Sequence, residues 1–411
     1  MRAAVVVTGT EVLEGRVRDE NGAMIGADLA AAGVSLTRTI VVGDGLDDIR
    51  DAVGLALSGG VDLVVVTGGL GPTHDDRTME AVAHASGSRL VEDPAALALV
   101  RAALEQVPVR GPHAARERGA RKQAQVPEGA VVLPPAGTAP GAVVDAGDPV
   151  VAVLPGPPWE CRAAWEEARR VPAVSRVLDA PGAGAPRELR MAGVVESEFM
   201  QVVDESDPEG RGLVVGVCAR PGELEVTLRP PGPEADAFTA LLEARFPGAI
   251  FSRDGTGVEE VVGRLLAERG QALATAESCT GGMIGARLTG VAGASAWYRG
   301  GVVSYSDDAK HAVLDVPRSM LDEHGAVSGP VARQMARGAC AALGAEWAVA
   351  VTGIAGPGGA TAQKPVGLVY VCVTGPGHEE VRELRLHGDR ERIRMRSATI
   401  ALHLVRQALA A

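Results

Sequence analysis

The chain has 411 residues, of which 46% are hydrophobic and 22% are charged, which is enough for two or three domains with buried cores. Its formal net charge of -12 and its 3% of aromatic residues argue against a nucleic-acid-binding protein, because it offers neither a positive field nor many stacking rings. The 5 cysteines include no CxxC pair, which argues against disulfides and zinc, and no apolar run suits a signal peptide or a membrane span. We therefore expect a cytoplasmic protein.

The first 170 residues alternate short apolar runs with stretches of helical spacing. Continuous apolar strands separated by helices are typical of a parallel sheet that is covered on both faces. The sequence therefore predicts an α/β domain with strands over residues 3–7, 34–42 and 62–66 and helices over 22–32 and 46–57.

A glycine-rich turn follows the predicted strand over residues 62–66 and precedes a helix. Gly68, Gly69 and Gly71 allow backbone N–H groups to approach an anion, and the start of the helix favours negative charge. Asp75 and Asp76 are suited to hold a divalent metal against that anion. The turn is equally well explained as a tight connection whose acids cap the helix. The local pattern leaves both interpretations open.

A change of composition separates this domain from a small module. Residues 172–186 are rich in Pro, Ala and Gly, which predicts a loop or linker. Residues 188–252 combine alternating stretches with a helical run over 234–245, which predicts an α+β module. Because this module carries no catalytic constellation, we expect a structural or dimer-forming role.

A further α/β pattern begins near residue 254. A predicted strand over 272–276 leads into the sequence ESCTGG and a helix over 283–289, for which Ser278 or Thr280 is a natural N-cap. The free N–H groups of such a helix start are suited to bind a phosphate or an oxyanion. Strands are predicted over 301–305, 347–351 and 368–373, a second glycine-rich turn over 352–359, and a last helix beginning near Arg390.

The motifs of the first domain resemble those of the CinA family, also called competence/damage-inducible protein A. They occur in the family order: TGTE, TGGLGPTHDDRT, KQA, GTAPG and LPGPPWE. The resemblance implies a molybdopterin-binding-like α/β fold, and in many members this domain hydrolyses ADP-ribose to AMP and ribose 5-phosphate with a divalent metal of the Mg, Co or Mn type. Ala120 and Pro134 stand where the family usually has asparagine.

This resemblance also assigns residues to the first domain. It implies that Asp75 and Asp76 hold the metal. The nucleotide-binding residues that it implies are Glu11, Asn21, Gly68, Gly69, Gly71, Thr73, Asp75, Asp76, Lys122, Gly137 and Thr138.

The motifs of the last 157 residues resemble those of the nicotinamide mononucleotide deamidases, which are fused to the first domain in CinA proteins. They are AESCTGG, GASAW, YS followed by a lysine, TGIAGPGG, KPVG and GDR. The family reaction converts nicotinamide mononucleotide and water to nicotinic acid mononucleotide and ammonia, with no metal or other cofactor. The resemblance implies Ser295 as the nucleophile, Lys310 as the general base and Tyr305 beside them. It implies substrate binding by Ser278, Thr280, Gly281, Thr352, Gly353 and Arg390.

This assignment is chemically coherent. A serine attacks an amide only when a base removes its proton, and a lysine does so when burial lowers its pKa. A tyrosine can relay the proton or donate to the developing oxyanion, and the fork of an arginine suits a phosphate. Cys279 is a rival nucleophile, because a helix start favours a thiolate.

The resemblance also implies three domains and a homodimer. They are a molybdopterin-binding-like domain over residues 1–170, a KH-like α+β domain over 171–253 and a deamidase domain over 254–411. We expect small-molecule nucleotides as partners, and neither nucleic acid nor a membrane. Two alternatives stay open: a regulatory protein of competence and DNA damage with an inactive N-terminal nucleotide site, and a first domain that binds molybdopterin.

Overall fold

The computed structural model describes residues 1–106, 113–145, 147, 149–180 and 184–411. The chain forms two compact units, Met1–Pro186 and Arg187–Ala411, and each is described by itself. No helix in the described ranges combines the length and the hydropathy that are needed to cross a membrane.

The first unit is built on a six-stranded sheet. The described strands are β1 (Arg2–Thr8), β2 (Ser35–Val42), β3 (Leu63–Thr67), β4 (Leu90–Glu92), β5 (Gln125–Pro127), β6 (Val131–Leu133), β7 (Gly141–Val144) and β8 (Val150–Leu154). The described helices are α1 (Thr10–Leu13), α2 (Glu20–Ala31), α3 (Leu46–Leu57), α4 (Thr78–Ala85), α5 (Pro94–Gln106), α6 (His113–Gln123), α7 (Pro158–Ala168) and α8 (Pro172–Leu178).

The strand order of this sheet is β2-β1-β3-β8-β7-β6, while β4 and β5 form a separate antiparallel pair. The β2-β1-β3-β8 part is parallel, as predicted, and β7 and β6 add an antiparallel edge. Strands β3 and β8 are buried along their whole length because helices cover both faces of the sheet. Val5 and Val65 pack on one face with α2 and α7, and Val6 and Val66 pack on the other with α3 and α4.

The prediction that residues 172–186 form a linker is wrong over its first half. Pro172–Leu178 is helix α8, and its buried side chains join the core of the first unit. The proline stands at the first turn of the helix, where its missing N–H costs nothing, so composition alone was misleading. Residues 181–183 of the predicted linker lie outside the described residues.

The second unit, all of which is described, contains two sheets. Its strands are β9 (Arg187–Ala192), β10 (Val214–Arg220), β11 (Glu223–Arg229), β12 (Ile250–Ser252), β13 (Leu273–Glu277), β14 (Tyr298–Val303), β15 (Trp347–Gly353), β16 (Leu368–Gly375) and β17 (His378–Arg385). Its helices are α9 (Glu196–Ser206), α10 (Pro233–Arg245), α11 (Val258–Arg269), α12 (Met283–Thr289), α13 (Asp307–Leu314), α14 (Arg318–His324), α15 (Gly329–Leu343) and α16 (Arg390–Ala410).

The smaller sheet has the order β10-β11-β9-β12 and is antiparallel, and α9 and α10 share its core. This is the α+β module that the sequence predicts. The larger sheet has the order β14-β13-β15-β16-β17. Its first three strands are parallel, and β16 and β17 continue it antiparallel. Helices α11, α12 and α16 cover one face, and α13 to α15 cover the other.

Candidate active sites

The chemistry-bearing motifs of the second unit meet at one edge of the larger sheet. Ser278 follows β13, Tyr305 follows β14 and Thr352 lies near the end of β15. These three strands are neighbours and parallel, so their carboxyl ends share one edge, which is where ligands bind in open α/β sheets.

A buried lysine–serine pair lies at this edge. Lys310 projects from α13, and its Nζ donates to Ser278 Oγ over 3.2 Å and to the Ser304 carbonyl over 2.8 Å. Burial lowers the pKa of Lys310 below its ordinary value, while the negative charge of Asp307 opposes this shift. The neutral amine that a general base requires is therefore easier to form at Lys310 than at an exposed lysine.

Ser295 lies at the opposite edge of the sheet. It belongs to the 3-10 turn Ala294–Ala296, which precedes β14, and its side chain is exposed. Lys310 follows the far end of β14, and six residues of strand span roughly 17 Å. The structure therefore does not bring Ser295 to Lys310, and the nucleophile expected from the resemblance has to be revised. Trp297 explains the local motif instead, because its ring packs against Gly263 of α11 in the core.

Cys279 lies at the correct edge but is a poor nucleophile. It is 5% exposed, and burial raises the pKa of its thiol to about 11. A thiol of that pKa stays protonated near neutral pH, so the reactive thiolate is scarce.

The start of α12 is occupied by a side chain that the sequence analysis did not single out. The buried Glu277 carboxylate accepts from the backbone N–H groups of Gly282 at 3.0 Å, Ile284 at 3.1 Å and Gly285 at 2.9 Å. The prediction that Ser278 or Thr280 caps this helix is wrong, because neither side chain bonds its N–H groups. The helix start is already neutralised, so it does not serve as a free anion site.

Arg394 of α16 holds the same loop from its other side. Its guanidinium donates to the carbonyls of Cys279 at 3.0 Å and Thr280 at 2.9 Å. Glu277 and Arg394 thus fix the segment that carries Ser278. Glu277 was detectable in the sequence as the residue that ends a buried strand directly before the glycines, whereas no sequence signal pointed to Arg394.

The expected substrate-binding residues gather around this loop. Arg390, at the start of α16, donates to the Tyr305 hydroxyl at 3.0 Å and to the Gly356 carbonyl at 2.7 Å. Thr352 donates to the Ala326 carbonyl at 2.8 Å. The Thr280 hydroxyl is buried without a partner among the described residues, so it is available to a bound ligand. Gly281 lies in the turn that follows β13, and Gly353 is the last residue of β15.

The first unit has a cavity of about 590 Å³ at the carboxyl ends of its parallel strands. Of the eleven residues implied for nucleotide binding, nine line it: Glu11, Asn21, Gly68, Gly69, Gly71, Thr73, Asp75, Asp76 and Thr138. Lys122 and Gly137 lie behind this wall. Lys122 Nζ donates to the carbonyls of Thr73 and Asp76, and Gly137 lets the Glu160 carboxylate approach its backbone.

Asn21 offers an open hydrogen-bonding position in this cavity. Its Nδ2 donates to Thr67 Oγ1 at 2.9 Å and to the Gly156 carbonyl at 2.7 Å, which fixes the side chain. Its Oδ1 is buried without a partner among the described residues. A buried acceptor of this kind is costly unless a ligand or water donates to it.

The cavity is acidic. The Thr73 hydroxyl contacts both Asp75 and Asp76, and the Thr73 backbone N–H donates to Asp76 at 2.8 Å. The hydrogen bond from the Thr73 hydroxyl lowers the pKa of Asp75. Arg18 is the sole basic side chain among the described lining residues. The acidic ones are Glu11, Asp19, Glu20, Asp44, Asp75, Asp76 and Glu160.

This donor set fits a divalent cation. A pyrophosphate would be repelled by so many carboxylates unless a cation lay between them. No three His, Cys, Asp or Glu side chains converge closely enough in the described ranges to chelate a metal by themselves. A metal at Asp75 and Asp76 would therefore complete its coordination with ligand oxygens or water.

The two departures from the family pattern lie outside the cavity wall. Ala120 is buried between α5 and α6 with Ala96, Val100 and Ala124. Pro134 is exposed after β6. Neither side chain lines the cavity within the described residues.

The two units define a class of protein: a molybdopterin-binding-like α/β domain joined to a second α/β domain with a serine–lysine pair at its sheet edge. Residues 4–174 match the family described as "Probable molybdopterin binding domain", and residues 255–409 match "CinA C-terminal domain". The CinA-like protein of Mycobacterium marinum is 44% identical over 99% of this chain and 98% of its own length. That of Mycobacterium tuberculosis is 41% identical over 99% of this chain and 97% of its own length. The chain belongs to the CinA-like family.

Solved structures are similar to part of the chain. The competence/damage-inducible protein CihA from Agrobacterium tumefaciens is 42% identical, with a TM-score of 0.36, over 38% of this chain and 98% of its own. A CinA protein from Thermoplasma acidophilum is 36% identical, with a TM-score of 0.37, over 42% of this chain and 99% of its own.

Proposed function

We propose that the second unit is an amidohydrolase that converts nicotinamide mononucleotide to nicotinic acid mononucleotide and ammonia, with Ser278 as its nucleophile. The observation that carries this proposal is the 3.2 Å contact between Lys310 Nζ and Ser278 Oγ in a buried setting. Membership of the CinA family supports the choice of substrate, because the family motifs resemble those of the mononucleotide deamidases.

The chemistry follows from this pair. Neutral Lys310 accepts the Ser278 proton while Oγ forms a bond to the amide carbon. The C–N bond then breaks as Lys310 returns that proton to the nitrogen, which leaves as ammonia, and an ester remains on Ser278. Lys310 next deprotonates a water that attacks the ester, and the proton returns to Oγ. The products are nicotinic acid mononucleotide and free serine.

The surrounding groups suit the rest of the substrate. We assign the phosphate to Arg390, whose planar guanidinium pairs with phosphate oxygens. Tyr305 accepts a hydrogen bond from Arg390, and we assign it a position between the phosphate and the reacting amide. Thr280 offers a buried hydroxyl that a ligand would satisfy. Glu277 and Arg394 act as positioning residues, since they hold the loop and not the substrate.

The pH dependence of deamidation tests the role of Lys310. Because burial lowers its pKa, kcat/KM should rise with pH and level off with a midpoint below the 10.5 of an ordinary lysine. The charge of Asp307 raises this pKa, so Asp307→Asn should move the midpoint to lower pH. The measurement is ammonia release from nicotinamide mononucleotide between pH 5 and 10.

The matched control is Asp308→Asn, which removes the same charge one residue away. Asp308 pairs with Arg318 at 2.6 Å, and we expect no movement of the midpoint. If the wild type and Asp307→Asn gave the same dependence of kcat/KM on pH, the rise of kcat/KM would belong to a group other than Lys310.

We further propose that the cavity of the first unit binds ADP-ribose and hydrolyses its pyrophosphate with a divalent metal. The free Asn21 Oδ1 and the acidic wall around Asp75 and Asp76 support this assignment. The metal would supply the charge that lets a pyrophosphate enter, and the glycines of the turn let backbone N–H groups approach it.

AMP release from ADP-ribose tests this second activity. Turnover should need Mg²⁺, stop with EDTA and fall about 100-fold or more in Asp76→Asn. Asp51→Asn, on the exposed side of α3, should retain it. Binding of ADP-ribose without AMP release would favour a regulatory nucleotide-binding protein. Failure to bind ADP-ribose, with binding of molybdopterin, would favour the shared-fold alternative.

A further inference from the structure

The second unit contains a cleft of about 620 Å³ that neither proposed reaction uses. It lies between one face of α16 and the antiparallel sheet that contains β10 and β11. Arg392, Arg396 and Arg406 line it from α16, and Arg220 and Arg382 line it from the strands. Arg390, Arg394 and Ser278 do not line this cleft in the described unit.

The three arginines of α16 that line the cleft lack carboxylate partners among the described residues. Arg220 pairs with Glu225 at 3.1 Å, and Arg382 pairs with Glu380. No carboxylate of the described residues lies within ion-pair distance of Arg392, Arg396 or Arg406. Guanidinium groups that lie on one concave surface without a countercharge repel each other, so a bound anion would stabilise the cleft.

Two acidic side chains, Glu196 and Glu223, also line the cleft. Among the described residues neither forms an ion pair with Arg392, Arg396 or Arg406. Glu223 is 7% exposed, and its carboxylate already accepts from His403 Nε2 at 2.7 Å and lies 3.6 Å from Arg190. Arg406 contacts the other nitrogen of the same histidine, with Nε 3.3 Å from Nδ1. Its guanidinium also lies 5.4 Å from the centre of the Phe251 ring. Arg406 is thus held in place at the far end of the cleft.

The spacing along α16 places two further arginine side chains on the face of the helix that carries His403. Arg392 and Arg396 are four residues apart and therefore lie one above the other, on the same face as His403. Arg406 lies about 15 Å further along the helix axis than Arg396. The two neighbouring heads of Arg392 and Arg396 match an anion with several negative oxygens better than a single phosphate, because each head can take a bidentate pair. Leu224, Ile400 and Leu404 add apolar wall to the same cleft.

We propose that this cleft binds a small metabolite with two or more phosphates, of the nucleotide class, and that Arg392 and Arg396 hold the phosphates. The volume is that of a small-molecule site. A single strand of nucleic acid is disfavoured, because such strands bind on aromatic stacking platforms and no Phe, Tyr or Trp lines the described cleft. The ligand would join α16 to β11 and would lie on the helix that also carries Arg394.

Calorimetric titration of the full chain with inorganic tripolyphosphate tests the proposal. Because the cavity of the first unit is also suited to polyphosphates, the comparison is between variants. Arg392→Gln/Arg396→Gln should weaken one binding event by at least about tenfold. The control Arg333→Gln/Arg385→Gln removes the same charge from exposed arginines that pair with Glu379 and Glu383, and it should bind as the wild type does.

Three results would overturn the proposal. The first is equal binding of tripolyphosphate by the wild type and by the cleft variant, provided that both melt at the same temperature. The second is equal affinity for orthophosphate and tripolyphosphate at the event that the variant removes, which would contradict a ligand with several phosphates. The third is binding of an eight-nucleotide oligothymidylate that requires Arg392 and Arg396 and is tighter than the binding of tripolyphosphate. That result would assign the cleft to nucleic acid.

Discussion

Replacing Ser278 with alanine is expected to lower kcat for ammonia release by on the order of 10³-fold or more, because the reaction loses the atom that forms the acyl bond. Lys310 would remain buried but would have no hydroxyl to deprotonate. The measurement is steady-state ammonia release from nicotinamide mononucleotide, with circular dichroism to confirm that the fold is retained.

Ser295→Ala is the matched control, because it is the same change on an exposed turn at the opposite edge of the sheet. We expect it to retain at least about half of the wild-type kcat. The reverse result, with Ser278→Ala active and Ser295→Ala inactive, would return the nucleophile to Ser295 and contradict the geometry of the Lys310 pair.

Replacing Glu277 with alanine is expected to reduce the free energy of unfolding by about 3 kcal/mol, since each N–H group left without its acceptor costs about 1–3 kcal/mol. Three such groups at the start of α12 depend on this one carboxylate. Deamidation should also fall, because the loop that carries Ser278 loses its anchor. Urea unfolding followed by fluorescence, with ammonia release measured below the transition, gives both quantities.

Glu346→Ala provides the comparison. Glu346 also accepts from a backbone N–H, that of Ala272 at 2.8 Å, but it is exposed and makes one such bond. Its loss should cost about 0.5–1 kcal/mol, because water replaces the acceptor. Equal losses for the two variants would mean that the Glu277 bonds contribute no more than a surface contact.

The fold was largely accessible to sequence reasoning, because each buried strand carries its own signal. The continuous apolar runs over β1, β3 and β15 predict buried parallel strands, and helix α3 was predicted with its observed bounds. Strand β17 was missed because charged residues predominate along it, and its alternation is that of an exposed edge. Helix α8 was missed because its proline and alanine content suggested a linker.

The active-site assignment shows what the sequence left undetermined. Ser278 and Ser295 both stand beside glycines in short turns, and spacing along the chain does not separate them. What separates them is the direction of β14, since one serine lies at the end where parallel strands finish and the other where β14 begins. The predicted order of strands and helices could have separated the two serines, because residues that follow adjacent parallel strands share one edge of the sheet. The Glu277 and Arg394 contacts depend on side-chain packing that no local pattern encodes.

Under the proposed function, the hydrogen bond from Arg390 to Tyr305 would link recognition of the phosphate to the reacting end of the site. One terminal nitrogen of Arg390 donates a hydrogen bond to the Tyr305 hydroxyl, and the other donates to the Gly356 carbonyl. A phosphate that accepted a hydrogen bond from the first nitrogen would replace the Tyr305 hydroxyl as its partner. Tyr305 is 63% exposed. Under the proposed function, the Tyr305 hydroxyl would be released from Arg390 only by a phosphorylated substrate. A deamidase with the proposed site would therefore discriminate against amides that carry no phosphate, such as glutamine or free nicotinamide.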